Sequence, residues 1–220
     1  MIAFPFPSKC RVLCLGAHSD DIEIGCGGTL LKLARECPEL ELMWVVFSAE
    51  GARKSEAKAS AKAFLPKGVK PNIQIEEFRA SYFPFQAEQI KDVFESMKPF
   101  RPDVVFTHYR EDRHQDHRVV SDLTWNTFRD HLILEYEVPK YDGDLGVPNL
   151  FVQLEKQLSR RKVRNLCRYF QTQANKHWFS EDTFLGLMRL RGMECASPTG
   201  YAEAFHCRKS VVGSPLREAR

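Results

Sequence analysis

The sequence contains no apolar run long enough to cross a membrane. Its longest uninterrupted apolar stretches, such as 42–47, cover only a few residues, whereas a membrane-spanning helix needs about 20. The first residues lack the charged region of a secretory signal peptide and are interrupted by Pro5 and Pro7. We therefore predict a protein without a membrane span, located in the cytoplasm.

Disulfide frameworks and thiolate metal sites are not indicated either. The seven cysteines are an odd number, and none of them forms a Cys-x-x-Cys pair. The formal net charge of +3 is too small to argue for nucleic-acid binding. Internal repeats and low-complexity tracts are also missing from the sequence. What is present is an ordinary globular composition, with 43% hydrophobic and 28% charged residues.

Strand and helix patterns alternate along the first 130 residues. Apolar runs predict strands at 11–16, 42–47, 72–76 and 103–107. Helical patterns separate or follow them at 27–36, 55–65, 86–97 and 118–128. Such an alternation predicts a parallel sheet with helices on both faces.

The regular alternation of strand and helix patterns ends after residue 130, but no linker interrupts the chain. Strands are predicted at 132–138 and 203–208, and helices at 158–169 and 183–191. A turn-rich connection at 139–148 is either a wall of the site or a plain surface loop. We predict one Rossmann-like α/β domain over residues 1–220, with a mostly parallel sheet and a frayed tail from about residue 210.

Two short clusters of imidazoles and carboxylates directly follow predicted strands. The first, at 17–23, has the sequence Ala-His-Ser-Asp-Asp-Ile-Glu, and the second, at 114–117, has the sequence His-Gln-Asp-His. The carboxyl ends of parallel strands form the ligand crevice of an open α/β sheet, so the two clusters are expected to meet. Neutral imidazole and carboxylate together are typical ligands of a catalytic Zn²⁺ or a similar divalent ion.

Each motif also has a less specific interpretation. Asp20 and Asp21 are equally typical of helix capping. The glycines at 25–28 resemble a phosphate-binding loop but match neither known pattern, so close packing of the first helix is the preferred explanation. The basic run at 160–164 is expected to be a solvated helix face, with a phosphorylated sugar as the alternative partner.

Together these residues resemble the PIG-L/LmbE family of zinc-dependent amidohydrolases, which remove N-acetyl groups from molecules containing N-acetylglucosamine. The family motif Ala-His-Pro-Asp-Asp-Glu is similar to 17–23, where Ser19 replaces the proline and Ile22 precedes the glutamate. The family motif His-x-Asp-His matches 114–117. The resemblance extends to two further segments, at 25–29 and 201–205.

The resemblance implies a role for each matching residue. One Zn²⁺ per chain, or another divalent transition metal, would be held by His18, Asp21 and His117. Asp20 corresponds to the general base of the family. His114 would stabilise the oxyanion or protonate the leaving amine, and Asp116 would set its tautomer and charge. Arg53 corresponds to an arginine that contacts the substrate; the alternatives are a solvated loop for His114 and Asp116 and an exposed helix position for Arg53.

We therefore predict a zinc-dependent hydrolase that removes an acetyl group from an N-acetylated amino sugar or its conjugate. One alternative is a metal-dependent hydrolase of another amide or a phosphoester, and another is a non-catalytic metal-binding module. The predicted partner is a small amino-sugar molecule, with no nucleic acid and no membrane span. Assembly into a homo-oligomer is left open.

Overall fold

One seven-stranded sheet organises the chain. The computed structural model describes residues 5–65, 69 and 72–211. Its strands are β1 (Lys9–His18), β2 (Glu39–Ser48), β3 (Asn72–Ile75), β4 (Val104–His108), β5 (Leu132–Tyr136), β6 (Leu150–Leu154) and β7 (Tyr201–Cys207). They are ordered β3-β2-β1-β4-β5-β7-β6. Every pairing is parallel except the two made by β7, so the predicted, mostly parallel sheet is confirmed.

Helices cover both faces of this sheet. They are α1 (Asp21–Glu36), α2 (Gly51–Phe64), α3 (Ala87–Met97), α4 (Gln115–Thr127), α5 (Lys156–Tyr169) and α6 (Glu181–Glu194). Apolar residues of α1, α2, α5 and α6 pack into one core, and those of α3 and α4 pack into a second core. The single α/β domain with helices on both faces is therefore confirmed. Within the described ranges, no helix is both long and apolar enough to span a membrane.

The strand order reverses between β1 and β4, the two central strands. From β1 the chain continues to β2 and β3 on one side, whereas β4 and β5 lie on the other side. In open α/β sheets, ligands bind outside the carboxyl ends of the strands at such a reversal. His18 ends β1 and His108 ends β4, so both imidazoles lie at this position.

Several element boundaries differ from the sequence-based predictions. The helix predicted from residue 27 begins at Asp21, and the helix predicted from residue 118 begins at Gln115. Strand β6 was not predicted, because it follows directly on the turn-rich connection. The predicted end of the second helix, at 66–68, and the predicted tail beyond residue 211 lie outside the described residues.

The glycines of α1 are required by close packing. A Cβ atom on Gly25 would lie 2.1 Å from Cδ2 of Tyr136, and one on Gly27 would lie 2.5 Å from Cε1 of Phe64. Both glycines lie inside the helix rather than ahead of it. The packing interpretation is therefore supported over a phosphate loop. Low helix propensity explains why the glycine-rich first turns were not predicted as helical.

A buried ion pair contacts the backbone of α1 beside its glycines. The carboxylate of Glu203 accepts the backbone N–H groups of Gly28 and Thr29, at 2.8 and 2.6 Å. Lys162 Nζ lies 2.6 Å from Glu203 Oε1 and donates to the backbone carbonyl of Ile24, the usual acceptor for residue 28. The basic run on α5 is thus not entirely a solvated face. That prediction was wrong for Lys162, which lies against α1 and β7.

Candidate active site

Three side chains converge at the carboxyl ends of β1 and β4. His18 Nδ1 lies 3.2 Å from His117 Nε2 and 3.3 Å from Asp21 Oδ2. The third distance, from Asp21 Oδ2 to His117 Nε2, is 3.5 Å. Tetrahedral ligands bound at zinc distances of about 2.0–2.1 Å are spaced about 3.3–3.4 Å apart. The structure thus brings together the three residues predicted as metal ligands, with a spacing that fits one small cation.

On the side away from the centre, the imidazoles of His18 and His117 each donate a ring N–H to a carboxylate. His18 Nε2 lies 3.1 Å from Asp116 Oδ2, and His117 Nδ1 lies 2.8 Å from Asp112 Oδ2. Because a carboxylate accepts the ring N–H, the other nitrogen of each histidine faces the centre, where it can bind a metal in its deprotonated form. Both ring orientations are thereby fixed. Asp112 was not predicted from the sequence.

The turn-rich connection at 139–148 is anchored to the site through Asp112. Lys140 Nζ lies 2.9 Å from Asp112 Oδ2 and 2.7 Å from Asp144 Oδ2. Asp144 also accepts the backbone N–H of Arg113 at 2.6 Å. This segment is therefore tied by ion pairs to Asp112, the carboxylate that orients His117.

Asp20 has a free oxygen beside the three converging side chains. It occupies the N-cap position of α1, yet its side chain makes no capping hydrogen bond. Its Oδ2 is buried without a hydrogen-bond partner among the described residues. Asp21 accepts the backbone N–H of His18 at 2.6 Å, so capping explains neither carboxylate. Burial and the adjacent Asp21 charge raise the pKa of Asp20 to about 6.

His114 lies beside the converging side chains as a neutral imidazole. Its Nδ1 accepts the backbone N–H of Asp116 at 3.2 Å, which places the ring proton on Nε2. Burial and the nearby His18 lower the pKa of His114. Its ring stacks on that of His117, with centroids 4.6 Å apart. His114 is therefore placed as a neutral hydrogen-bond donor.

The predicted pairing of the Asp116 carboxylate with His114 is wrong. The carboxylate instead contacts His18 and accepts the backbone N–H groups of Ser81 and Phe83, at 2.6 and 3.2 Å. The reason is the early start of α4, whose first turn directs this side chain toward the end of β1. Asp116 is fully buried, which also excludes a solvated loop position for it.

His108 and Arg53 lie outside the group of three converging side chains. His108 is buried beneath His117; its Nε2 accepts the backbone N–H of Ala17 at 2.9 Å and lies 3.3 Å from Asp21 Oδ2. Arg53 is half-buried in the first turn of α2, the helix that follows β2. No hydrogen bond or ion pair of Arg53 occurs within the described ranges. Its substrate contact stays a prediction.

The electrostatics of the site favour a cation. Four buried carboxylates lie around the centre: Asp20, Asp21, Asp112 and Asp116. Burial alone would lower the pKa of His18, but Asp21 and Asp116 outweigh burial and raise that pKa to about 10, so a metal bound at Nδ1 would take the place of a proton there. Burial and His108 lower the pKa of His117 to about 3, which keeps it neutral as a ligand must be. The donor set of two nitrogens and one oxygen suits Zn²⁺.

The sequence is similar to proteins described as deacetylases. A sequence profile of the family described as "PIG-L: GlcNAc-PI de-N-acetylase" matches residues 13–128. "Uncharacterized deacetylase YaiS" of Escherichia coli (strain K12) is 28% identical over 140 residues, covering 58% of this chain and 74% of that protein. The profile match includes β1 from residue 13 onward and all of α1, β4 and α4, and therefore all of the converging side chains.

Solved structures share the fold over most of the chain. N,N'-diacetylchitobiose deacetylase from Pyrococcus horikoshii has a TM-score of 0.73 and 22% identity, covering 93% of this chain and 85% of that chain. GalB, the 4-carboxy-2-hydroxymuconate hydratase from Pseudomonas putida KT2440, has a TM-score of 0.72 and 16% identity. The match covers 94% of this chain and 100% of that chain. One fold thus carries two kinds of reaction, so the chemistry must be argued from the site.

Proposed function

Because the chain belongs to the PIG-L family, we propose that it is a metal-dependent deacetylase that hydrolyses the N-acetyl group of an amino sugar or its conjugate. The observation that carries this proposal is the spacing of 3.2–3.5 Å between the ligand atoms of His18, Asp21 and His117. The partner is a small N-acetylated molecule. We also keep the cytoplasm and one domain over residues 1–220 as proposals from the sequence.

The metal ligands in this proposal are His18, Asp21 and His117. Asp116 and Asp112 hold the two imidazoles with their free nitrogens toward the centre. A bound Zn²⁺ would supply a water of lowered pKa and would polarise the acetyl carbonyl. Another divalent transition metal would serve the same donor set.

The remaining steps belong to side chains of this protein. Asp20 has the buried, unpartnered oxygen that takes a proton from the attacking water as its oxygen bonds to the acetyl carbon. His114 offers its Nε2 proton as a hydrogen bond to the acetyl oxygen, where negative charge develops. As the C–N bond breaks, the proton on Asp20 passes to the amine nitrogen. The products are acetate and the free amine.

Metal removal and substrate comparison test the proposal. The metal-free protein is expected to release no acetate from N-acetylglucosamine conjugates, and one equivalent of Zn²⁺ is expected to restore the release. Acetate, phosphate and hydration products would be measured over a panel of N-acetyl sugars, phosphoesters and unsaturated acids. Full acetate release without metal, or product only from phosphoesters or by hydration, would overturn the assignment.

Removal of Asp112 is expected to weaken metal binding. Without its carboxylate, the Nδ1 proton of His117 loses its acceptor and the ring loses its orientation. Such losses cost about 10–100-fold in metal affinity. We expect Asp112→Ala to raise the Kd for Zn²⁺ by that factor in a chelator competition, and Asp112→Asn to raise it less. The control is Asp122→Asn, at an exposed position of α4, the helix that carries His117. An unchanged Kd for Asp112→Ala would contradict the role.

A further inference from the structure

A second cluster of charged side chains surrounds the buried carboxylate of Glu135 on β5. That carboxylate accepts the indole N–H of Trp125 at 2.7 Å and the backbone N–H of Arg110 at 3.3 Å. It also accepts from Nε of Arg110 at 3.2 Å, and from Nε and Nη2 of Arg208 at 3.0 and 3.2 Å. Glu135 itself is fully buried. Many N–H groups thus converge on one carboxylate, and all of them come from residues outside the proposed active site.

The cations of this cluster outnumber its carboxylates. Arg110 and Arg208 pair with Glu135 and, in the part of the chain that the structure describes, with no other carboxylate. Lys209 Nζ lies 5.3 Å from the centroid of the Trp125 ring, and the guanidinium carbon of Arg110 lies 4.8 Å from the same centroid. The mutual repulsion of these positive charges is unfavourable unless an anion joins them. We call Arg110, Arg208 and Lys209 the basic cluster.

The two guanidiniums of the basic cluster have N–H groups that are not used. Their Nε atoms contact the same oxygen, Oε1 of Glu135, so the two groups lie side by side. Both Nη atoms of Arg110 and Nη1 of Arg208 have no acceptor among the described residues. The two arginine side chains are 35% and 34% exposed, whereas that of Glu135 is 0% exposed. The buried carboxylate therefore holds both guanidiniums in place, while their remaining N–H groups are open to a ligand from solvent.

We propose that the basic cluster is a binding site for a dianionic phosphate group, carried by inorganic phosphate or by a small phosphate monoester. Phosphate oxygens match the paired N–H groups of a guanidinium and form charge-assisted hydrogen bonds with it. A phosphate group close to doubly charged at neutral pH also balances the positive charge that Glu135 leaves uncompensated, whereas a carboxylate ligand would balance only part of it. The site binds its ligand without chemical change and does not depend on the proposed deacetylase activity.

Titration of the zinc-loaded protein with inorganic phosphate, and separately with glycerol 3-phosphate, tests this site. The indole N–H of Trp125 is the reporter, because it donates to the carboxylate on which the basic cluster converges. Its NMR resonance would be assigned with Trp125→Phe, and ionic strength would be held constant because salt screens exposed charges. We expect a saturable shift of this resonance, and the ligand with the lower Kd identifies the preferred source of the phosphate group. Arg110→Met and Arg208→Met should each raise that Kd by about tenfold or more, because each loses charge-assisted hydrogen bonds.

Two further variants separate the site from general charge effects and from loss of folding. Arg164→Met removes an exposed arginine of α5 and should leave the Kd unchanged. Lys209→Met keeps both ion pairs of Glu135, so weaker binding there cannot come from an unpaired buried carboxylate; we expect its Kd to rise about twofold to fivefold. The absence of a saturable shift with either ligand would overturn the site. A shift that persists with unchanged Kd in Arg110→Met and Arg208→Met would place the phosphate elsewhere, such as on the zinc, and would overturn it as well.

Discussion

Asp20→Asn is expected to lower kcat by about 10²–10⁴-fold while zinc stays bound, because loss of a general base costs that much. The asparagine occupies the same buried space but cannot take a proton from water. The Asp20 oxygen has no hydrogen-bond partner among the described residues, so the substitution breaks no side-chain contact made by that atom. Zinc content by metal analysis and kcat from acetate release would be measured on the same preparation.

Asp21→Asn is the matched control for this prediction. The two aspartates are adjacent, but only Asp21 contributes an oxygen to the 3.2–3.5 Å triangle. Its substitution removes a charged ligand, so zinc should be lost first and activity with it. Added zinc should restore part of the activity in Asp21→Asn and none in Asp20→Asn. If both variants retained zinc equally well, the division of roles between the two residues would be wrong.

Lys162→Met is expected to destabilise the fold by about 3–5 kcal/mol, the usual cost of leaving one member of a buried ion pair alone. Glu203 would keep its charge next to the backbone of α1 without its cation, and the Ile24 carbonyl would lose its donor. Urea unfolding would measure the change as a lower midpoint at an unchanged slope.

Two variants distinguish this buried pair from a surface charge effect. Arg164→Met removes a cation from an exposed position of the same helix and should change the unfolding free energy by less than about 0.5 kcal/mol. Adding Glu203→Gln to Lys162→Met removes the unpaired charge and should recover part of the lost stability. A destabilisation by Lys162→Met no larger than that of Arg164→Met would contradict the buried pair.

The convergence of the two motifs could be predicted because both follow strands of one sheet, whereas the choice of His18, Asp21 and His117 as ligands came from the family resemblance. His18 and Asp21 lie three residues apart where a strand turns into a helix, and His117 lies at the equivalent point after β4. Any parallel sheet with that alternation brings the two strand ends together. The periodicity of apolar residues therefore sufficed for the parallel part of the sheet and for the convergence of the two motifs, but not for β6.

The hydrogen-bond partners of these residues could not be predicted. They depend on where α4 begins and on contacts between distant parts of the sequence, and apolar periodicity defines neither. Asp112 reaches His117 only because α4 begins at Gln115, three residues before the predicted start, and helix ends are poorly marked by apolar spacing. The Asp116 carboxylate turns to His18 for the same reason. Glu203 meets Gly28 across 175 positions of sequence, and nothing in either local pattern indicates that contact.

The position of β7 in the sheet determines when the sheet can be completed during synthesis. β7 lies between β5 and β6, so β6 has no hydrogen-bonded strand within the described part of the chain until β7 has been made. All the converging side chains leave the ribosome earlier, since they precede residue 118. Glu203, however, arrives with β7, and only then can its carboxylate accept the N–H groups of Gly28 and Thr29. The helix that begins at Asp21 thus acquires its contact with Glu203 only after β7 has been synthesised, which is later than any of the converging side chains.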